Sequence, residues 1–278
     1  RRQQIMKIIS WNIARRAAAW SLLKDCDADV ALLQEAVPPP PSLADQFRND
    51  PSPWVTVGGD THRPWRAAVA VLSPDLDVRW IEPQGIDTAG ARGLRVSQPG
   101  SLVAAQVHKG GEPPVTLVSL YGVWERPHHT TGSQWIYADA AVHRLISDLS
   151  CLIGSQQGHR IIAAGDLNIL HGYGEHGSPY WAERYATVFA RMKALGLEFV
   201  GPQAPAGRQA EPWPGELPPG SRNVPTYRSS TQDPGSATRQ LDFVFASQSI
   251  AERVTVRALN EVGEWGPSDH CRVEIEYR

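Results

Sequence analysis

At 278 residues, with 41% hydrophobic and 20% charged residues, the chain has the composition of a soluble globular protein rather than a disordered one. No apolar run approaches the ~18 residues of a membrane span, and a net charge of −2 gives no ground for attraction to a polyanion by total charge, leaving that role to local patches. Cys26, Cys151 and Cys271 lack metal-type spacing and are too few for a disulfide framework, which points to reduced thiols and a cytoplasmic setting.

Arg1 to Ile5 precede Met6, a candidate start, and read as a tag or extension. Ile5 to Trp11 then has a strand pattern, and Ala14 to Lys24 an alanine-rich helical one. Asp29 to Gln34 is almost continuously apolar, as in a strand covered on both faces. Trp54–Val57, Ala67–Leu72, Leu102–Val107 and Val115–Leu120 are further expected strands. Gln134 to Leu152 is an expected helix with Ile136, Ala140, His143, Leu145 and Leu149 largely on one face. The apolar run Ile161 to Ala164 follows, and Ser178-Pro179 opens another helix that runs toward Leu195 and stops at Gly196. Residues 201–225 form a loop dense in proline and glycine, either a functional surface loop or a mobile insertion. Leu241–Ala246, Arg253–Leu259 and Cys271–Tyr277 close the chain as strands. Without an internal repeat or a strong linker, residues 1–278 read as one α/β domain.

Polar groups gather where these strands end. Asn12 follows the first, Glu35 the second, Tyr121 the strand ending at Leu120, and Asp166 with Asn168 the run ending at Ala164; Ser268-Asp269-His270 precedes the last. Singly, Asn12 reads as a helix cap, Asp166 as a turn former and Glu35 as a surface carboxylate. Asp242 is different: it alternates onto one face with Val244, and a buried carboxylate needs a partner, for which His270 is the candidate. Together the set offers oxygen ligands for Mg²⁺ or Mn²⁺, amides to hold oxygens, and a histidine that a carboxylate can orient. Hydrolysis of a phosphate ester asks for this kit.

In chain order, Ile9-Ser10-Trp11-Asn12, Leu33-Gln34-Glu35, Gly165-Asp166-Leu167-Asn168, Leu241-Asp242-Phe243 and Ser268-Asp269-His270 resemble the endonuclease/exonuclease/phosphatase superfamily, which includes DNase I-like nucleases and apurinic/apyrimidinic endonucleases. The resemblance spans Met6 to Tyr277. It implies a four-layer α/β sandwich, two central mixed β-sheets flanked by helices. It also implies that Glu35 binds the catalytic Mg²⁺ with Asn12 and Asp269 beside it, that Asp166 orients or deprotonates the attacking water, and that Asn168 holds the phosphate. Asp242 would fix His270, which contacts or protonates a phosphoryl oxygen; either Asp166 or His270 is the base. Tyr121 resembles the abasic-site enzymes, whereas Asn12-Ile13-Ala14-Arg15-Arg16 lacks their acidic residue two positions after the asparagine and is closer to DNase I. The sequence therefore combines features of both subfamilies.

Arg15 and Arg16 are expected either to contact phosphate or to form a solvated first helical turn. Arg126, His128 and His129 make a second basic cluster, His171 lies in a glycine-rich loop, and Thr226-Tyr227 resembles the family's cleft-lining pair. Trp124, Trp213 and Trp265 fall in expected loops, where stacking on bases is available. The expected activity is a metal-dependent phosphodiesterase cutting nucleic acid, with a phosphatase or phospholipase acting on inositol phosphates, a sphingolipid or a small nucleotide as the alternative. A silent binding module is disfavoured by the complete acid, amide and histidine set. No protein partner is inferable.

Overall fold

The computed structural model describes residues 5–58, 61–84, 93–154 and 158–278; most of the expected N-terminal extension, residues 1–4, lies outside them. Alternation of apolar side chains builds two six-stranded sheets. In the first are β1 (Met6–Asn12), β2 (Val30–Ala36), β3 (Arg48–Asn49) and β4 (Arg66–Val71), and in the second β5 (Asp77–Ile81), β6 (Leu102–His108), β7 (Val115–Tyr121), β8 (Ile161–Asp166), β9 (Leu197–Gly201) and β10 (Asp242–Ser247). The last two strands, β11 (Val254–Leu259) and β12 (Arg272–Tyr277), return to the first sheet, whose order is β11-β12-β1-β2-β4-β3. The second sheet has the order β9-β10-β8-β7-β6-β5. Each sheet is mixed: β1–β2 and β7–β8 are parallel, and the other neighbours are antiparallel.

One face of each sheet meets the other. Ile8, Leu32, Val69 and Ile275 of the first pack with Leu117, Ile162 and Val244 of the second. On the outer face of the first sheet, Ile9, Trp11 and Leu33 bury Trp20 and Leu23 of α1 (Ala18–Asp25). On the outer face of the second, Val118, Ala163 and Phe243 bury Leu145 of α2 (Ala138–Gly154) and Val188 of α3 (Pro179–Ala194). The result is the four-layer sandwich that the resemblance implied. Among the described residues no helix is long and apolar enough to cross a membrane, and all three cysteines are free thiols.

Three expected boundaries move. The helix expected from Ala14 begins at Ala18, because Ile13 and Arg15 donate their backbone N–H groups to Gln34 and Glu35 carbonyls (both 3.0 Å) and so tie the segment to the end of β2. Ala14 and Arg15 accordingly take left-handed φ of 47° and 61°. The helix expected from Gln134 begins at Ala138, after Tyr137 N–H bonds the Glu125 carbonyl at 2.8 Å. Trp54–Val57 gives only a short strand, Thr56–Gly58, paired with Thr61–Arg63. The loop at 201–225 is tied to the body: Arg208 N–H donates to Asn260 Oδ1, and Ala258 N–H to the Ala206 carbonyl.

Candidate active site

The site grows out of the layer between the sheets. Ser10 and Asn12 continue the inward register of Ile8, Tyr121 that of Leu117 and Ser119, Asp166 that of Ile162 and Ala164, and Asp242 that of Val244. Strand pairing sets three of them in a row, with Tyr121 opposite Asp166 and Asp166 opposite Asp242. Where the apolar layer stops, the same register therefore delivers polar groups, and a cleft of about 660 Å³ opens over them.

The Gly-Asp-Leu-Asn turn has a steric origin. A Cβ on Gly165 would lie 1.8 Å from the Leu120 carbonyl, so only glycine lets β8 approach β7 there. Beyond it, Asn168 N–H donates to Asp166 Oδ1 (3.0 Å) in a side-chain-capped turn, with Asn168 itself left-handed at φ 54°. Asn168 Nδ2 donates to the Gly122 carbonyl (3.1 Å) and to Asp166 Oδ2 (3.3 Å). Asn12 Nδ2 donates to the same Oδ2 at 2.9 Å, while its Oδ1 accepts Ala14 N–H. Asn12 is thus buried beneath Asp166 and outside the cleft lining.

His270 Nδ1–H donates to Asp242 Oδ2 at 2.8 Å, and the Thr226 hydroxyl donates to that oxygen at 2.6 Å. Thr226 Oγ1 also accepts Leu241 and Asp242 N–H groups (3.0 and 3.1 Å). It is 0% exposed, so the expected substrate contact by Thr226 is corrected to a brace on Asp242. The other imidazole nitrogen, Nε2, faces Asp166 Oδ2 at 3.7 Å, ion-pair range but too long for a hydrogen bond. Behind the ring, Ser268 Oγ donates to the Asn12 carbonyl and accepts His270 N–H, and Trp11 Nε1–H donates to the His270 carbonyl.

These contacts set the proton affinities. Burial pushes the Asp166 carboxyl up, the charge of Asp242 adds to this, and His270 and the Asn12 and Asn168 donors offset only part; the carboxyl sits at about 7. Burial disfavours a charged His270, but the carboxylates of Asp242, Asp166 and Asp269 outweigh it and raise the imidazole to about 10. Ligand atoms of Asp166, Asp242 and His270 lie within 4.8 Å of one another, a spacing a metal can use. A protonated His270 already balances one of the two acids, so the trio is better suited to carrying a proton than to caging a cation.

Oxygen donors for a cation lie beside the trio. Glu35 sits at a register shift between β2 and β4 with φ 44°, a strained conformation of the kind that gathers at functional sites. Its carboxylate accepts the Tyr121 hydroxyl at 3.0 Å and pairs with Arg15 Nε at 3.2 Å, and Arg15 also lies over the Trp65 ring. Asp269 lines the same cleft. Glu35 and Asp269 are hard oxygen donors of the kind Mg²⁺ or Mn²⁺ takes, and no cysteine lines the cleft.

Of the expected substrate contacts, Arg15 and Tyr227 line the cleft, and Arg16, Arg126 and His128 are exposed outside it. His171 is also corrected: its ring packs 4.4 Å from Phe189 and 4.8 Å from Phe199 on the outer face of the second sheet, with Nδ1 toward Asn223. Trp265 is buried with its indole N–H on the Asn260 carbonyl, and Trp213 donates to the Leu217 carbonyl, pinning the proline-rich loop. Trp124 does line the cleft. Sequence reasoning missed Arg63, Arg239, Trp135, Trp181 and Tyr185, which also line it. Nothing short of the fold could have gathered them, since they come from a short hairpin, loops and α3.

Fold and site together define a phosphoester hydrolase. Residues 9–270 match the Endonuclease/Exonuclease/phosphatase family, and the chain belongs to it. No curated protein matches the sequence. Among solved structures, the endonuclease domain of TRAS1, a telomere-specific non-LTR retrotransposon, superposes with a TM-score of 0.62 at 18% identity, over 99% of both chains. The AP endonuclease from Leishmania major has a TM-score of 0.62 at 17% identity, over 99% of this chain and 88% of that one. The 3′-5′ exonuclease NExo from Neisseria meningitidis has a TM-score of 0.53 at 19% identity, over 98% of this chain and 99% of that one. At such identities these likenesses establish the DNase I-like fold.

Proposed function

We propose that this protein is a divalent-metal-dependent phosphodiesterase that cuts nucleic acid internally. The observation that carries the reading is the convergence, at one cleft, of the Asp242–His270 pair, Asp166, Glu35 and Tyr121. Asp166, with a proton affinity near neutrality, takes a proton from the attacking water. His270 stays charged across that range and offers Nε2–H to a phosphoryl oxygen as negative charge builds there. Asp242, braced by Thr226, holds the ring in the required tautomer. Asn168 holds a phosphoryl oxygen by yielding the Nδ2–H now given to Asp166. Glu35 and Asp269 would hold the cation, which when bound supplies Lewis-acid neutralisation of the phosphoryl charge. Tyr121 and Arg15 then exchange their hold on Glu35 for substrate oxygens. Nucleic acid is favoured over a small phosphoester because Arg15, Arg63 and Arg239 share the lining with aromatic rings, giving sites for both backbone and base.

The test is a panel of supercoiled plasmid, single-stranded oligonucleotide and inositol phosphate, each with Mg²⁺, with Mn²⁺ and with EDTA, run beside Glu35→Gln. Nicking of the plasmid should require the cation and vanish in the variant. Turnover of inositol phosphate with both nucleic acids left intact would replace the reading by the phosphatase alternative. Undiminished cutting by Glu35→Gln would remove that residue from the cation site.

A further inference from the structure

Arg15 occupies the carboxylate that would hold the cation. Its Nε lies 3.2 Å from Glu35 Oε2, while the Tyr121 hydroxyl donates to Glu35 Oε1 at 3.0 Å, so each oxygen of Glu35 already has a partner from the chain. The Trp65 ring flanks the guanidinium, its centroid 4.9 Å from the guanidinium carbon.

The backbone sets this placement. Arg15 N–H donates to the Glu35 carbonyl at 3.0 Å, and Ala14, Arg15 and Glu35 all take left-handed φ, 47°, 61° and 44°, a region that residues with a Cβ seldom enter. The two main chains are therefore locked together, and the guanidinium starts within reach of the carboxylate. The contact between the side chains is weak by comparison. That of Arg15 is 54% exposed and that of Glu35 20%, and solvent screens such a pair. A firm backbone anchor carrying a loose ion pair suits a group that must leave and return.

A guanidinium and a divalent cation cannot share one carboxylate without repulsion, because the like charges would lie within a few ångströms of each other. The guanidinium must be drawn elsewhere before Glu35 is open. A phosphodiester suits its planar fork, and Arg15 lines the same cleft as Asp166, Asp269 and His270. We propose that Arg15 is an internal counter-ion of Glu35 that makes cation and substrate bind together. Without a phosphodiester it competes with the cation; with one it turns to the phosphate and frees the carboxylate. This deepens the reading of Glu35 as the cation's ligand and rests on it. By linkage the effect is reciprocal, so the cation strengthens substrate binding by the factor with which substrate strengthens cation binding. The protein takes up the cation mainly in the presence of nucleic acid.

The experiment uses Asp166→Asn protein, which should hold an oligonucleotide without cutting it. Mn²⁺ binding is followed by the paramagnetic resonance of the free ion, with and without a short single-stranded oligonucleotide, and Arg15→Ala, Arg15→Lys, Arg63→Ala and Glu35→Gln are each added in turn. Without oligonucleotide, Arg15→Ala should tighten Mn²⁺ binding about three- to thirtyfold, the effect of removing one positive charge a few ångströms from a divalent ion. In saturating Mn²⁺ the same variant should bind the oligonucleotide severalfold more weakly, since a phosphate contact is lost. General loosening of the site would not move the two affinities in opposite directions. Arg15→Lys, which keeps the charge, should stay close to the parent. Arg63 also lines the cleft, and Arg63→Ala, which removes a charge but leaves the Arg15–Glu35 pair, should tighten Mn²⁺ clearly less. Unchanged or weaker Mn²⁺ binding by Arg15→Ala, with Glu35→Gln still abolishing it, would overturn the proposal alone, as would equal tightening by Arg63→Ala. Mn²⁺ binding as tight in Glu35→Gln as in the parent would refute the reading of Glu35 and the proposal with it.

Discussion

On one side of the cleft Asp166, Asp242 and His270 are almost wholly buried, and each is held by a neighbour fixed in its own strand or turn: Asn12, Thr226 and Ser268. On the other side Trp124 and Trp135 stand 48% and 57% exposed on a segment that belongs to neither sheet. Charge chemistry needs desolvation and fixed geometry, and strand ends supply both because their position is set by the whole ladder. Recognition tolerates a looser support and sits on loops. The comparison predicts that variants of the sheet side change chemistry or stability strongly, and that variants of the loop side change mainly which substrate is taken.

The largest effect is expected for Asp166→Asn. If Asp166 is the proton acceptor, kcat should fall by about 10²–10⁴, measured on whichever substrate of the panel the parent cuts fastest. Stability should move the other way at alkaline pH. The folded carboxyl titrates at about 7, against 3.8 unfolded, so the folded state binds the extra proton and its stability declines as pH rises between these values. His270, at about 10 against 6.5, adds a decline of the same sign at higher pH. Urea unfolding in EDTA should therefore show the variant gaining on the parent from pH 5 to pH 8. A gap that is constant over this range would show that Asp166 does not carry a raised proton affinity.

Next in size is Thr226→Val, which keeps the shape but leaves Asp242 Oδ2 with His270 alone and two backbone N–H groups without their acceptor. The expected loss is about 1–3 kcal/mol in denaturant unfolding, because buried polar groups lose partners. A looser His270 should lower kcat while KM stays nearly fixed. A rise in KM alone would return Thr226 to the substrate-contacting role that its sequence suggested.

The same contrast explains what the sequence made legible. Period-two alternation ending in a polar residue marks a strand that runs from the apolar layer into the cleft, which is why Tyr121, Asp166 and Asp242 stand out without coordinates. The sheet strands that escaped notice, β3, β5 and β9, all lie at sheet edges, half-exposed and short of a continuous apolar run. Thr226 and Asn12 were noticed, but not their hold on Asp242 and Asp166, since hydrogen bonding to a neighbour's carboxylate leaves no mark in the sequence. Trp135, Trp181 and Tyr185 meet only through the packing of α3 beside the segment before α2, and Trp181 and Tyr185 lie at ordinary helical spacing. No local pattern separates them from core aromatics.

The smallest effect should come from Arg126→Ala combined with His128→Ala. Both side chains are exposed and neither lines the cleft, although basic residues just past Tyr121 invite a backbone-binding role. His128 is engaged locally: its Nδ1 lies 2.7 Å from Thr130 Oγ1 and its ring 4.2 Å from that of His129. Removing two such side chains should change stability by no more than about 0.5 kcal/mol and kcat/KM by roughly twofold at most. Measured at low and high salt on a long duplex, the two proteins should have parallel salt dependences, because each lost phosphate contact would flatten the slope by about one unit. A flatter slope for the variant would mean that nucleic acid runs past the Trp124 rim onto this turn, extending the recognition side well beyond the cleft.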